Sequence, residues 1–466
     1  MPLSFLECGL DKTKQIVYVF IMASPDAYQL LQLYQKAVPS SFFEEICREH
    51  DYHFRQGVYT LAVVVWLMIY QRLHHNRTLA AAVQFLLQGH ADPLLSPCRR
   101  VAQRRISASA AGYCQARQKL PTLIASAVTD RLIEQLRQEM REGWPGLQRP
   151  VMLIDGTTLQ LRHETELLEA FPAGHNQHGD NHWPLLQVVV FHDVYSGLCL
   201  RPSWGPMYGK NAVSEQALAA EALSRLPDDA VVLADRNFGI FHFAWVVQQS
   251  GRPMILRLTE KRARKVLRDT PYAGMDRQVV WQASREDRRA HQQLPPEASI
   301  KGRLVVSVHP DQPGELLYLF TSLDLAYAEV VALYKLRWNV ETDLRSLKRT
   351  VALHQINSQS ADLVEKEILL AVSAYNLIRA VMCLAARRAQ VTPRQLSFSF
   401  VQTAVEAALP ALSSATSQAE YNRQMDRLLG YAAQGKLPQR SHRRSYPRQV
   451  WGRGAAFPRN HAPRKN

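Results

Sequence analysis

Between residues 150 and 258 two periodicities alternate along the chain, and that alternation constrains the fold more than any other feature. VMLID (151–155) and VVLAD (231–235) are short apolar runs that each end in a carboxylate. Between them, LLQVVVFHDV (185–194) and LCLRPSW (198–204) flank Tyr195-Ser196-Gly197, which reads as a hairpin. SEQALAAEALSRL (214–226) has helical spacing, with Ser214 as its cap and Glu215 in its first turn. FHFAWVVQQSG is a second helix closed by Gly251, and PMILRL a further strand. The order strand, hairpin, helix, strand, helix, strand implies a mixed sheet flanked by helices.

The flanking sequence is of other kinds. Residues 25–95 carry apolar positions at helical spacing, as in YQLLQLYQKAV and TLAAAVQFLLQG. VYTLAVVVWLMIY (58–70) is too short to span a bilayer and reads as a buried helix, with Arg55 and Arg72 at its ends. Residues 96–120 hold Arg99, Arg100, Arg104, Arg105, Arg117 and Lys119. Ser107 or Ser109 could cap a helix there that shows Tyr113, Ala116, Arg117 and Leu120 on one face and stops near Pro121. A further helix covers 122–141 and breaks at GWPG. Residues 260–322 hold short β-prone runs (QVVWQA, GRLVVSVHP, ELLYLFTSL) and read as a β insertion. Helix returns over 326–350, and 361–388 is strongly apolar. The stretch 436–466 has nine Lys or Arg, no acid and four prolines, with Tyr446, Trp451 and Phe457 interleaved. It is either a solvated end or an extended segment for nucleic-acid backbone.

The net charge of +15 favours a polyanionic partner. The six cysteines form no C-x-x-C, too sparse for a disulfide framework or a zinc site, and read as reduced thiols in a cytoplasmic protein. No secretory leader pattern opens the chain, no membrane span is expected, and no Walker loop or dinucleotide fingerprint occurs.

Asp155 and Asp235 end apolar strands, where ligands collect at the carboxyl edge of a sheet. Two converging carboxylates repel, and a hard cation relieves the repulsion. Gly156 and the threonines after it need no role beyond strand exit. In YKLRWNVETDLRSLK (334–348), Tyr334, Arg337, Glu341 and Lys348 stand at offsets 0, 3, 7 and 14, on one stripe of a helix. Leu333, Leu336, Val340, Leu344 and Leu347 supply the adjoining apolar stripe. The alternative is an exposed face with an i,i+4 Arg337–Glu341 pair. HNQHGDNH, with His175, His178, Asp180 and His182, does not have the spacing of a usual zinc site and reads as a polar loop. Arg236 is either a phosphate contact or a structural partner. KRARKVLR (261–268) is either a solvated face or a DNA contact.

Tyr334-(2)-Arg337-(3)-Glu341-(6)-Lys348 resembles the Y-(2)-R-(3)-E-(6)-K motif of the insertion-sequence-4 family of DDE transposases. LIDGTTL and LADRNF resemble the blocks around that family's first and second aspartates, SASAAGYCQARQKLP a block of its N-terminal region, and RSYPRQVWGR…AFPR its common ending. The resemblance implies an α/β mixed fold: an RNase H-like catalytic core with a β-rich insertion, preceded by a helical N-terminal domain. It implies a helical DNA-end-binding region over 1–145, core over 146–258, insertion over 259–323, core again over 324–390 and a C-terminal helical segment and basic tail over 391–466. Asp155, Asp235 and Glu341 would hold two Mg²⁺ (or Mn²⁺) ions. Tyr334, Arg337 and Lys348 would contact DNA near the element's ends, with Arg236 and Arg117 as further DNA contacts. The implied activity is cut-and-paste transposition through terminal inverted repeats, by a homodimer on paired double-stranded ends that joins them to target DNA. Some relatives stack a flipped base on a tryptophan in the insertion. The corresponding ELLYLFTSL has none, leaving Tyr318, Phe320 or Trp281 as the platform. The rival readings are a nuclease that cuts without joining, a catalytically silent DNA-binding descendant, and a basic helical scaffold.

Overall fold

The computed structural model describes residues 30–53, 57–140, 149–176, 179–180, 182–309 and 314–438. GWPG, Arg55, His178 and nearly all of the basic tail therefore lie outside the described residues. The chain forms a large, mostly helical region and an eight-stranded mixed sheet.

The helical region begins with α1 (Leu30–Ala37), α2 (Ser40–Glu49), α3 (Leu61–Leu73), α4 (Leu79–Leu87), the short α5 (Arg99–Ala102), α6 (Ala111–Lys119) and α7 (Thr122–Met140). Thr60 and Thr78 start α3 and α4 by accepting from Val63 N and Ala81 N. All of α3 except Ala62 is buried, as befits a helix apolar on every side. Ser109 Oγ accepts from Ala111 N at the start of α6, near the expected cap.

After α6 and α7 the chain enters the sheet with β1 (Val151–Gln160). There follow α8 (Thr165–Ala170), the two-residue strands β2 (His175–Asn176) and β3 (Gly179–Asp180), β4 (Leu185–Asp193) and β5 (Ser203–Pro206). Then come α9 (Glu215–Ala222), β6 (Val231–Ala234), α10 (Phe241–Gln249), β7 (Met254–Leu258), α11 (Glu260–Leu267), β8 (Asp276–Gln282), α12 (Arg285–Ala290), β9 (Ser299–Val308) and β10 (Leu316–Thr321). The sheet order is β5-β4-β1-β6-β7-β10-β9-β8, with β1, β6 and β7 parallel and the other pairings antiparallel. The expected hairpin turns at 194–197, where Gly197 has φ 72° and Asp193 Oδ1 accepts from Tyr195 N and Ser196 N. Its return strand starts later than the sequence suggests, at Ser203, after an isolated His192–Cys199 bridge. The β-prone runs of 260–322 form β8, β9 and β10, and β10 pairs with β7, so that these strands extend the same sheet outward.

The period-2 alternation of the strands builds two cores. Val151, Leu153, Val231, Leu233, Ile255 and Leu319 face one layer, where Val330, Leu333, Tyr334 and Val340 of the motif segment cover them. Met152, Ile154, Val232, Ala234 and Leu256 face the other core, shared with α9 and α10. The motif segment is not one continuous helix. It runs as α13 (Tyr327–Lys335), a 3₁₀ turn (Leu336–Trp338), α14 (Asn339–Arg345) and a π turn (Ser346–Thr350).

α15 (Ala361–Arg388), α16 (Phe398–Ser413) and α17 (Gln418–Ala432) complete the chain. By length and composition α15 could cross a membrane, but 94% of its most apolar window is buried inside the protein, so it is a core helix. It packs on α3 and α7 from the N-terminal side and on α16 and α17 from the C-terminal side. Asn376 on α15 grips Cys199 through both backbone groups, each at 2.8 Å, and so joins the helical region to the sheet. Helices from before and after the sheet in sequence therefore pack around α15.

Candidate active site

Register brings the two aspartates level. β1 and β6 pair in parallel with Leu153 beside Leu233, so Asp155 and Asp235 each stand two residues further on. Both continue the side-chain alternation of Val151–Leu153 and Val231–Leu233, which faces α13 and α14. One sequence expectation is corrected here: Asp155 does not end its strand. β1 runs on to Gln160 against β4, and only its pairing with β6 stops short of Asp155. The opened edge leaves the Asp155 carboxylate at the sheet's carboxyl end all the same.

Asp155 Oδ1 accepts from Gly156 N at 2.8 Å, and Asp235 Oδ1 from Asn237 N at 2.8 Å. Burial pushes the Asp155 carboxyl up to about 6; the Gly156 N–H and Arg337 oppose the rise, while Asp235 and Glu215 add to it. α14, packed on β1, carries Glu341, which is exposed. Arg337 is 8% exposed; its Nη2 donates to Glu341 Oε1 at 3.1 Å and its guanidinium lies 4.8 Å from the Trp338 ring centre. Its Nε has no partner among the described residues. Arg337 thus holds Glu341 while lying within electrostatic reach of Asp155. Among the described residues, three metal-type donors come within 4.8 Å of one another at His74, His75 and Glu406, away from the aspartates.

The remaining motif residues are placed differently from a single exposed stripe. Tyr334 is fully buried; burial pushes its hydroxyl up, with Arg337 and Arg257 opposing. Lys348 Nζ donates to Thr157 Oγ1 at 3.1 Å and Thr158 O at 2.8 Å, fastening the π turn to β1 just beyond Asp155. Arg236 is exposed at the rim, and its carbonyl accepts from Arg262 of α11 at 3.4 Å. Arg117 does not join them. Its side chain is 11% exposed and bonds Glu367, which also takes Arg72 at 2.5 Å, so α3, α6 and α15 share one buried ion-pair node. Trp281 and Phe320, candidate base platforms, pack edge to face in the core 5.2 Å apart, while Tyr318 is partly buried against that core. Of the histidine-rich loop, His182 stacks on His163 at 4.0 Å beside Trp183, which is 45% exposed.

Glu215 is the residue that sequence reasoning missed. Its carboxylate sits against Gly156, so closely that a Cβ at 156 would collide with Oε1. The side chain of Asn237 donates to Glu215 Oε2, while its backbone N–H holds Asp235. Burial raises the Glu215 carboxyl, Asp235 raises it further, and hydrogen bonds from Gln187 and Asn237 oppose this. The available signal was the glycine directly after the first aspartate.

All donors here are carboxylate oxygens, the set that hard divalent cations take. Asp235 raises the proton affinity of both Asp155 and Glu215, Glu215 adds to the rise at Asp155, and a bound cation would oppose those effects.

Residues 146–377 match the family described as Transposase DDE domain, a stretch that contains Asp155, Glu215, Asp235, Glu341 and Lys348. The chain is also similar to the transposase InsG for insertion sequence element IS4 of Escherichia coli (strain K12), 27% identical over 333 residues, which cover 69% of this chain and 71% of that protein.

Proposed function

This chain belongs to the DDE transposases of the insertion-sequence-4 family, an enzyme class that acts on DNA with divalent metal ions, and from that premise we propose the residues and steps of its reaction. Asp155, Asp235 and Glu341 are its catalytic carboxylates and hold two ions, Mg²⁺ or Mn²⁺. The observation that carries this assignment is the β1–β6 register, which sets both aspartates level on the face covered by the helix bearing Glu341. Bound there, the ions would activate the attacking water or 3′-hydroxyl and stabilise the leaving oxygen.

The chain's own residues prepare the substrate. Arg337, with Nε unpartnered among the described residues, can grip a phosphate through two hydrogen bonds when it turns from Glu341. Buried Tyr334 and stacked Trp338 restrict where that guanidinium can point. Lys348 holds β1 and its Asp155 against the π turn and adds positive charge beside the cluster. Arg236 and Arg262 line the rim where a DNA backbone would approach.

The order β5-β4-β1-β6-β7, three antiparallel strands followed by parallel ones, supports an RNase H-like core, with β8 to β10 as its insertion. Residues 1–145 recognise the terminal inverted repeats, and a homodimer pairs two ends in the cytoplasm for cut-and-paste transfer. The test is excision of an element carrying its own ends, in cells, by the wild type and by Asp155→Asn. Excision by the wild type alone supports the assignment. Cleaved ends that never join target DNA would favour a nuclease, and bound but uncut ends a silent descendant.

A further inference from the structure

We propose that Glu215 is a fourth carboxylate of the metal centre, a direct ligand that reaches it from the opposite face of the sheet. This rests on the metal-site reading above and extends it. Asp155 and Asp235 come from strands and Glu341 from α14, on one face; Glu215 opens α9, which packs on the other. Ser214 caps α9 by accepting from Ala217 N at 3.1 Å, which fixes the first turn of that helix and with it the direction of Glu215.

Three features favour a ligand over an ordinary first-turn acid. Backbone is cleared for it: with any side chain at 156 the carboxylate could not hold its place. Asn237 ties Glu215 and Asp235 into one unit, donating from its side chain to the first and from its backbone to the second, and Gln216 Nε2 braces Asn237 at 3.0 Å. Finally, no Lys or Arg ion-pairs with Glu215 among the described residues, although the chain carries 56 Lys and Arg against 41 Asp and Glu. A half-buried carboxylate that is set beside two others and has no protein cation of its own is placed for an external one.

The test uses the full-length protein without DNA and Mn²⁺ as the probe, followed by calorimetry and by the electron paramagnetic signal of free Mn²⁺. Glu215→Gln keeps the side chain's shape and its bond to Asn237 but removes the charge. It should weaken Mn²⁺ binding about tenfold or more, at least the scale of losing an outer-shell partner of a metal ligand, with a metal-free unfolding midpoint no lower than that of the wild type and unchanged affinity for DNA ends. Glu215→Asp, which retains charge but withdraws it by one methylene, should also bind Mn²⁺ more weakly, and it serves if the Gln variant fails to fold. Asp155→Asn is the reference. If Asp155→Asn weakens Mn²⁺ binding and both Glu215 variants bind like the wild type, Glu215 only positions Asn237 and the proposal is overturned. If Asp155→Asn also binds like the wild type, the metal-site reading fails first, and this inference with it.

Discussion

Two carboxylates two residues apart on α14 meet opposite treatment. Asp343 is wholly buried, and both Arg379 of α15 and Arg394 bond its Oδ1, the latter at 2.5 Å. Burial alone would raise its proton affinity, but the two guanidinium groups and His192 override that and hold it below the usual carboxylate range. Arg394 also donates to Asp193 O and Val194 O, so the node clamps α14 to the β4–β5 turn. Glu341 is exposed and shares one arginine with the field of Asp155, whose own carboxyl is pushed up to about 6. A carboxylate whose countercharge lies within the protein holds the fold together. On the proposed metal-site reading, Asp155, Asp235 and Glu341 would draw their further countercharge from a cation, and the Asp343 node holds α14, which carries Glu341, in place.

The sharpest break between the two would come from exchanging their roles. Glu341→Gln should lower cleavage of element ends by about 10³-fold or more, as losing a group that acts in the transition state does, while end binding and the unfolding midpoint stay near wild type. Wild-type cleavage would remove Glu341 from the site. Asp343→Asn should do the reverse in order of cause. Leaving buried Arg379 and partly buried Arg394 without their shared carboxylate costs about 3–5 kcal/mol, so chemical denaturation should show a lower midpoint, with activity falling as the fold does. An unchanged midpoint would mean that the node carries no structural load and would dissolve the contrast.

The sequence shows why only part of this contrast is legible. Alternating apolar runs at 151–155 and 231–235 place both aspartates on a sheet edge, and the offsets of the motif put Glu341 on a helix beside it. Those are local periodicities, which depend only on neighbouring residues. The 361–388 helix and its neighbours were readable for the same reason. What was not readable is decided by distant partners. Arg117 reads as a basic-patch residue until Glu367, 250 positions away, buries it. Tyr334 reads as part of a polar stripe bordering the core until β-strand side chains close over it. The 3₁₀ and π turns that divide the motif segment leave no trace in its spacing. Glu215 reads as helix-dipole compensation until the absence of a side chain at Gly156 is seen to admit it.

Arg337 stands at the junction of the two regimes, and its replacement should have a smaller effect than either change above. If it only pairs with Glu341, Arg337→Ala leaves the binding of DNA ends unchanged. If it turns to a phosphate, Arg337→Ala should weaken binding of a cleaved end by about tenfold, since a charged hydrogen bond is worth about 1.5–3 kcal/mol. A gel-shift titration at fixed salt separates the two, and equal affinities would leave only the pair with Glu341.

The smallest expected effect tests the charge deficit itself. Asp155 binds its proton more tightly folded than unfolded, because its folded carboxyl sits near 6 rather than at the ordinary 3.8. The folded state therefore loses stability relative to the unfolded chain as pH rises from about 4 through 6, and the loss is complete above that window. Asp155→Asn removes the charge and should raise the melting temperature of the metal-free protein at pH 8 by a few degrees, roughly the shift that 1 kcal/mol gives a chain of this order of size. Below pH 4 the two proteins should melt together, because Asp155 is then protonated in both states. Saturating Mn²⁺ at pH 8 should reverse the order, stabilising the wild type above the variant by mass action. A variant less stable than the wild type at pH 8 without metal would show that the Asp155 charge is compensated inside the protein, as that of Asp343 is, and the distinction between the two carboxylates would then lie in exposure alone.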